Sequence, residues 1–437
     1  MIFFLIFFKK AYHFEINYYG NYFYSILDSS LAKFKTDLFN PHLYLAFFDP
    51  LIFILIYLLK TRTNFKNKFW KPGIIDFLIF LLFISSLIAT FFTDISLFAW
   101  FYLWIFFKYL LLFYLSFIFS KDVKIRRIVL ETLFIYAIIG GVTMFLQKIS
   151  GGNLGMVVDT GLPARFSTDN PEFYRPGGLF WDANLSSSIL MFFGSLASFL
   201  YLKNHNVVDR KLLFFTIIAS IAGIILSLSR GVWLVLLFNF LFLLPLMKKY
   251  VKKSLKKNKF KFIFSRNFLF ILIIIMIITF GFSSRFLSEH FLNLFRNFNH
   301  STILSRIRQF EMSWVYMMQK PLGLGHNVFK YSIIHDFPPD LFFRNPASVH
   351  NLLFEVLNAI GAFGLMVFIG LILVFAKYFF KERRKKRQDV ELLALLLAAF
   401  NYILVAQFYP WLYEFQITAF FWIIIGMAYA KIQEKNY

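Results

Sequence analysis

No cysteine occurs among the 437 residues. A disulfide framework and a thiolate metal site are therefore excluded. Acidic residues are scarce as well, with 23 Asp and Glu against 46 Lys and Arg and a formal net charge of +23. Further absences narrow the chemistry. There is no HExxH and no clustered Asp/His spacing suited to a metal, so no metal site is expected. The P-loop and the dinucleotide fingerprint are missing, and no other signature of a cofactor is read. Gly323-Leu324-Gly325 alone is too weak to be a phosphate loop, and without a GxSxG motif Ser229 has no readable triad. Alternation of period two is missing too, which disfavours a transmembrane barrel.

What is present is apolar. Hydrophobic residues make up 59% of the chain and the mean hydropathy is +0.65, above the ordinary soluble range. Runs such as IIDFLIFLLFISSLIATFF and FLFILIIIMIITFGF reach or approach the ~20 residues that cross a hydrocarbon core as helix. The expected fold class is all-α, a polytopic transmembrane helical bundle of about 11–12 spans. Spans are read at Leu43–Leu59, Ile74–Phe92, Ser96–Ser120, Ile128–Gln147, Leu185–Leu202, Leu212–Ser229, Gly231–Met247, Phe268–Phe282, Asn351–Ala376, Glu391–Phe408 and Phe415–Ala430. A further one would fall within Met1–Asn40, where Met1–Phe8 is too short to cross alone and Lys9, Lys10, His13 and Glu15 interrupt the stretch beyond it. That segment shows no small-residue cleavage site, so it does not read as a cleaved signal peptide. The 65 Phe serve mainly as the apolar filling that spanning helices need, and for a minority the other reading is a platform for sugar rings.

Basic residues fall in every second connection. Lys60–Lys71, Lys121–Arg127, Lys203–Lys211, Lys248–Arg266, Lys377–Arg387 and the end after Ala430 hold five, four, three, nine, seven and two of them. The positive-inside rule puts these connections in the cytoplasm. The tracts KKYVKKSLKKNKFK and KERRKKR then read as anchors beside anionic membrane lipids. No aromatic stacking module accompanies them, so no nucleic-acid partner is expected. The expected layout is one integral membrane domain over residues 1–430, with outer loops at 148–184 and 284–350 and a cytoplasmic tail at 431–437. The larger outer loop is expected to pack as short helices over the membrane mouth. The chain would then be multi-pass, with its polar outer loops facing away from the cytoplasm.

Polar residues concentrate at the outer ends. Arg230 sits in IILSLSRGVWLVLL, where two apolar helices meet with almost no loop. A bare guanidinium near lipid is costly, so it either snorkels to headgroups or clamps an anion inside the bundle. Arg306 and Arg308 open a segment whose apolar residues Ile307, Phe310, Trp314 and Met317 have helical spacing, expected to lie on the membrane and to end at Pro321. His350 precedes Asn351 at the start of a long apolar helix, as a cap or as a general base. Glu355 comes later in the same helix, where it would orient a neighbour or the histidine. In YRPGGLFWDANLSSS, Arg175, Asp182 and Asn184 stand where another span begins, and Asp182 or Asn184 is either its N-cap or a substrate contact. Lys108 falls in mid-span and must find a partner or water there.

In order along the chain, these pieces resemble the O-antigen ligase and polysaccharide polymerase superfamily of bacterial membrane glycan transferases. Arg175-Pro-Gly-Gly-Leu-Phe-Trp-Asp-Ala-Asn184 is similar to its R-x-G-G-x-F-x-(N/D)-x-N motif, and Ser229-Arg230-Gly231 to its S-R-G/A junction. Arg306 and Phe310, with Pro321-Leu-Gly-Leu-Gly325 and Phe329, resemble its R-x3-W … P-x-G-x-G-x3-F run, Phe310 replacing the usual Trp. His350-Asn351 with Glu355 and Gly361 resembles its H-N-x3-E-x5-G helix start. The resemblance covers about Arg175 to Gly364.

The resemblance implies a metal-independent, GT-C-like transferase without a cofactor, multi-pass in a bacterial inner membrane and working at the outer leaflet with its site facing the periplasm. Its donor would be an undecaprenyl-diphosphate-linked saccharide, and its acceptor a glycan or lipid A-core. By carry-over, Arg230 and Arg306 would hold the diphosphate and His350 would take the acceptor's proton. Arg175, Asn184, Arg308, Asn351 and Glu355, polar groups on the same outer face, are the further candidates for substrate contact. The rival readings are a transporter or flippase of lipid-linked saccharides, whose mark is polar residues along several spans and repeated halves, and a non-catalytic assembly or sensor protein.

Overall fold

The computed structural model describes residues 72–93, 96–151, 154, 175–179, 182–203, 207–239, 301–336, 349–385, 388–410, 412 and 415–435. The expected spans Leu43–Leu59 and Phe268–Phe282, the segment Met1–Asn40, the tracts Lys60–Lys71 and Lys248–Arg266, most of the outer loop 148–184 and the stretches 284–300 and 337–348 of the larger outer loop lie outside these residues. Among the described residues every regular element is helical. We number them α1 (Ile74–Phe91), α2 (Ser96–Phe119), α3 (Val123–Ser150), α4 (Ala183–Leu202) and α5 (Arg210–Leu226). They continue as α6 (Arg230–Asn239), α7 (Ser301–Gln319), α8 (Phe329–Asp336), α9 (Leu352–Arg384), α10 (Val390–Val405) and α11 (Phe415–Lys435). Among the described residues five helices are long and apolar enough to cross a membrane, namely α1, α2 from Ala99, α3, α4 and α9. The protein is therefore a polytopic helical membrane protein.

Caps explain where several helices start. Asp122, Asp182, Asp209, Asn351 and Asp389 each accept a backbone N–H from the first turn of α3, α4, α5, α9 and α10. Each such cap is worth about 1 kcal/mol. The cap at Asp122 starts α3 five residues before the expected Ile128, so that Lys124, Arg126 and Arg127 ride on the helix. At the other extreme α11 runs on past Ala430, and the residues read as a tail complete its last turn.

Close helix contacts rest on small residues, as lipid-embedded helices require. A Cβ at Gly141 on α3 would lie 2.3 Å from the Ala219 carbonyl on α5, and one at Gly426 on α11 would lie 2.3 Å from the Phe113 carbonyl on α2. Helix α4 is nearly enclosed and packs on α5 and α10.

The two ends of this bundle differ. At one end Arg126 Nε lies 2.6 Å from Glu391 Oε1, and its Nη1 lies 2.8 Å from Glu434 Oε1. Lys431 pairs with Asp389 at 3.1 Å and Lys435 with Glu382 at 2.8 Å. The cluster ties the first turns of α3 and α10 to the last turns of α9 and α11. Three of the basic connections that the charge rule assigns to one side therefore meet at one end. The polar junctions that carry Arg175, Arg230 and His350 lie at the other.

Helix α9 is not continuous. Gly361 interrupts it at φ 72° and ψ −177°. The interruption frees backbone groups, and the run Pro321–Gly325 fills the break. Leu324 N–H donates to the Asn358 carbonyl at 2.7 Å, Gly325 N–H to Ala359 at 3.2 Å, and Ala362 N–H to Pro321 at 3.1 Å. A Cβ at Gly361 would sit 2.2 Å from the Pro321 carbonyl oxygen, and one at Gly323 would sit 2.6 Å from the Gly361 nitrogen. The two glycine positions let backbone meet backbone, so this run is a strap between α7 and α9.

Candidate functional site

The turn between α5 and α6 is two hydroxyls wide. Ser227 Oγ donates to the Ile224 carbonyl at 2.7 Å and accepts from Ser229 N–H at 3.1 Å. Leu228 between them takes a left-handed φ of 52°, uncommon outside glycine. The chain reverses sharply, and Arg230 becomes the first residue of α6 with an exposed side chain. Neither Arg230 nor Arg306 forms an ion pair among the described residues.

Arg175 fastens this turn to α4. Its Nε donates to the Ser227 carbonyl at 2.8 Å and its Nη2 to Asn184 Oδ1 at 2.7 Å. Asp182, not Asn184, is the N-cap of α4, accepting from the backbone N–H of Asn184 and Leu185. Of the two candidate caps, Asp182 therefore fills the role and Asn184 holds Arg175.

Tyr409, on the link between α10 and α11, stands at the centre. Its hydroxyl lies 2.7 Å from Ser229 Oγ, and both residues are buried. Its ring rests on Gly231, where a Cβ would approach the hydroxyl oxygen to 3.0 Å. Burial pushes the phenol's pKa up, while the Ser229 hydrogen bond and the charges of Arg175 and Arg306 pull it down. Arg175 and Arg306 both hold their protons less tightly than usual. Burial is the main cause in each, and the like charge of Arg230 adds to it. An arginine starts so high that it keeps its charge regardless. Three guanidiniums from three separate chain segments thus share one electrostatic neighbourhood.

Helix α7 brings Arg306 there. Its inner face is polar: Gln309 and Ser313 are buried, Arg306 is half-buried, and Asn358 Nδ2 donates to Ser313 Oγ at 2.9 Å from α9. The Nε of Arg306 is buried with no hydrogen-bond partner among the described residues. The expected apolar stripe divides. Phe310 turns inward and stacks on Phe354 at 4.8 Å, whereas Ile307 and Trp314 are exposed. The inner contacts accompany that split: Ser313 is bonded to Asn358 of α9, and Gln309 meets His350 at the start of that helix. Arg308 lies about 200° round the helix from Arg306, and so on its far side.

His350 approaches α7 from the start of α9. Its backbone N–H and its ring Nδ1 both lie 3.3 Å from Gln309 Oε1. Asn351 caps α9 through Oδ1, and its Nδ2 donates to the Gln407 carbonyl at 3.5 Å. Leu352 N–H donates to the Ala406 carbonyl at 2.8 Å, and the buried Glu355 accepts from Leu412 N–H at 3.1 Å. The start of α9 is therefore bound to the same link that carries Tyr409. His326, in the turn after the strap, stacks on Phe106 at 4.8 Å, and burial lowers its pKa to about 3, leaving a neutral ring.

The structure brings Arg175, Asn184, Arg230, Arg306, His350, Asn351 and Glu355 to one end of the bundle, and leaves Arg308 on the opposite side of α7. Sequence reasoning did not single out Tyr409 or Gln309. For Gln309 the signal was available: it stands one helical turn beyond Arg306. For Tyr409 in QFYPW there was only its position in an outer link.

No curated protein matches the chain. Residues 215–369 match the family model described as O-Antigen ligase (Wzy_C). That segment includes the Arg230 junction, the Arg306 helix, the strap and the His350 helix start, and it leaves Arg175–Asn184 and Tyr409 outside. Among membrane proteins, the match supports the O-antigen ligase and polysaccharide polymerase superfamily for this chain.

Proposed function

We propose that this chain is a membrane glycosyltransferase that moves a saccharide from an undecaprenyl-diphosphate carrier to a glycan acceptor, either as an O-antigen ligase-like enzyme or as a polymerase. The observation that carries the proposal is that Arg175 is bonded to the Ser227 turn, that Arg230 follows this turn where Ser229 meets Tyr409, and that the charge of Arg306 reaches the same tyrosine. Like charges that share one neighbourhood disfavour one another, Asp182 offsets only Arg175 in part, and a multiply charged anion would relieve the rest. Guanidinium forks match phosphate oxygens bidentately, and the buried Arg306 Nε offers a further donor.

The reaction balances with few parts. The acceptor hydroxyl oxygen forms a bond to the anomeric carbon as the bond from that carbon to the diphosphate oxygen breaks. The leaving diphosphate keeps the electron pair, and Arg230 and Arg306 take up its growing charge without a metal ion. The acceptor's proton passes to His350, a contribution of typically about 10²–10⁴-fold. A single displacement inverts the anomeric centre. Arg175 and Asn184 border the diphosphate, Asn351 and Glu355 border the acceptor, and Arg308 extends the basic surface beyond α7. In this reading the site faces the periplasm, with lipid A-core or a growing glycan as acceptor.

The test is reconstitution in liposomes with an undecaprenyl-diphosphate-linked oligosaccharide. Arg230→Ala and Arg306→Ala are each expected to lower transfer by about 10²–10³-fold and His350→Ala by about 10²–10⁴-fold, at unchanged protein level. Chelator leaves the rate unchanged. Full transfer by purified His350→Ala removes its role as base. Movement of donor across the bilayer without product supports the flippase instead. One addition to a foreign acceptor marks a ligase, and a ladder marks a polymerase.

A further inference from the structure

The contact between Gln309 and His350 determines where the imidazole keeps its proton. One atom, Gln309 Oε1, lies 3.3 Å from both the backbone nitrogen and the ring Nδ1 of His350. A backbone N–H can only donate, so the amide atom facing it must be the oxygen and not the nitrogen. An amide oxygen can only accept. The ring Nδ1 facing the same oxygen must therefore carry the hydrogen, and in the neutral ring the lone pair then resides on Nε2. Gln309 is itself buried, its relative exposure 2%, and its helix is held to α9 by the Asn358–Ser313 hydrogen bond and the Phe310–Phe354 stack. The amide is thus supported from behind.

We infer that Gln309 is a positioning residue: it fixes His350 as the Nδ1–H tautomer and presents Nε2 as the proton-accepting atom. The inference rests on the proposed role of His350 as base. It adds a mechanical coupling, because Gln309 stands one turn from Arg306 on α7. The helix that delivers a guanidinium to the leaving diphosphate also sets the atom that receives the acceptor's proton. Among the described residues the other ionisable groups of the cluster are Arg306 on α7, Glu355 on the helix of His350, Arg175 and Asp182 before α4, Arg230 on α6 and Tyr409 on the link. All six are retained when only Gln309 is replaced, so any shift reports position 309.

The experiment uses the full chain in nanodiscs with ¹⁵N-labelled histidine. The His350 ring signals are identified by their loss in His350→Gln, and spectra are taken on the alkaline side, where the ring is neutral. Protonated Nδ1 with unprotonated Nε2 is the expected result. Gln309→Leu should mix the tautomers and lower transfer by about ten- to a hundredfold, the scale seen when the partner orienting a functional histidine is lost. Gln309→Glu puts a carboxylate against the ring and favours imidazolium, so the acid limb of the pH–rate profile should move to higher pH by about one unit or more. An Nε2–H form in the unaltered protein overturns the inference. So does a Gln309→Leu protein that is folded by its thermal midpoint and keeps both tautomer and pH profile. The ring spectrum needs no substrate. If His350→Ala transfers normally, the base reading fails alone, and the tautomer still stands or falls by NMR.

Discussion

Tyr409 shows how much one hydroxyl is asked to do. It meets Ser229 at 2.7 Å beneath the turn that bears Arg230, and its ring leans on Gly231. Tyr409→Phe keeps the ring and removes the hydrogen bond. A buried bond of this kind contributes about 1 kcal/mol net, with a further cost if the abandoned Ser229 finds no other partner. The thermal midpoint should therefore fall slightly. Transfer should fall more, about tenfold, because the turn that aims Arg230 is loosened; equal rates in the two proteins would place the hydroxyl outside the site. The residues legible in the sequence were the charged ones. Arg230, Arg306 and His350 stood out because a charged or titratable group in an apolar chain is costly and needs a reason. Gln309 and Tyr409 carry no charge and belong to types common at membrane surfaces, so nothing in composition marked them.

At the level of elements, hydropathy and length located the helices. Ile74–Phe92 and Ser96–Ser120 each differ from α1 and α2 by one residue at one end. The break in α9 was not legible. FEVLNAIGAFGLMVF reads as uninterrupted apolar helix without proline, and glycines are ordinary in spanning helices. Only the tertiary hydrogen bonds from the strap reveal that Gly361 leaves the helical conformation. Gly361→Ala would meet the Pro321 carbonyl at 2.2 Å in a left-handed conformation. A loss of about 2–3 kcal/mol is expected from the strained backbone alone, with new protease cleavage at residues 321–325. Gly370→Ala is the control, since its Cβ would meet only Leu78 at 3.7 Å. Matched unfolding midpoints for the two variants would refute the strap.

Across the whole molecule the polar work is divided between two ends. The positive-inside pattern foretold that Lys121–Arg127, Lys377–Arg387 and the last residues share a side, but not that their charges interlock. Pairing depends on which helices neighbour one another, and the pattern of charge along a chain does not hold that information. Arg126 and Glu391 are each about 3% exposed in their side chains. Truncating Arg126 leaves the buried Glu391 with only Lys431, at 3.7 Å, to offset its charge, so the cost approaches the ~3–5 kcal/mol of a broken buried pair. Arg126→Ala should lower the thermal midpoint markedly yet leave the transfer rate per folded molecule unaltered, because the arginine cluster is at the opposite end. Arg126→Leu combined with Glu391→Leu should be milder than the single change. A large drop in rate per folded molecule would mean that the two ends communicate.

The strap precedes in sequence the helix it fastens. A ribosome therefore delivers Pro321–Gly325 before the carbonyls of Asn358 and Ala359 are made. When the segment of α9 before Gly361 is made, the donors for its two freed carbonyls already exist in the chain. Those two oxygens need not wait for a later part of the chain to be satisfied, which lowers the cost of inserting an interrupted helix.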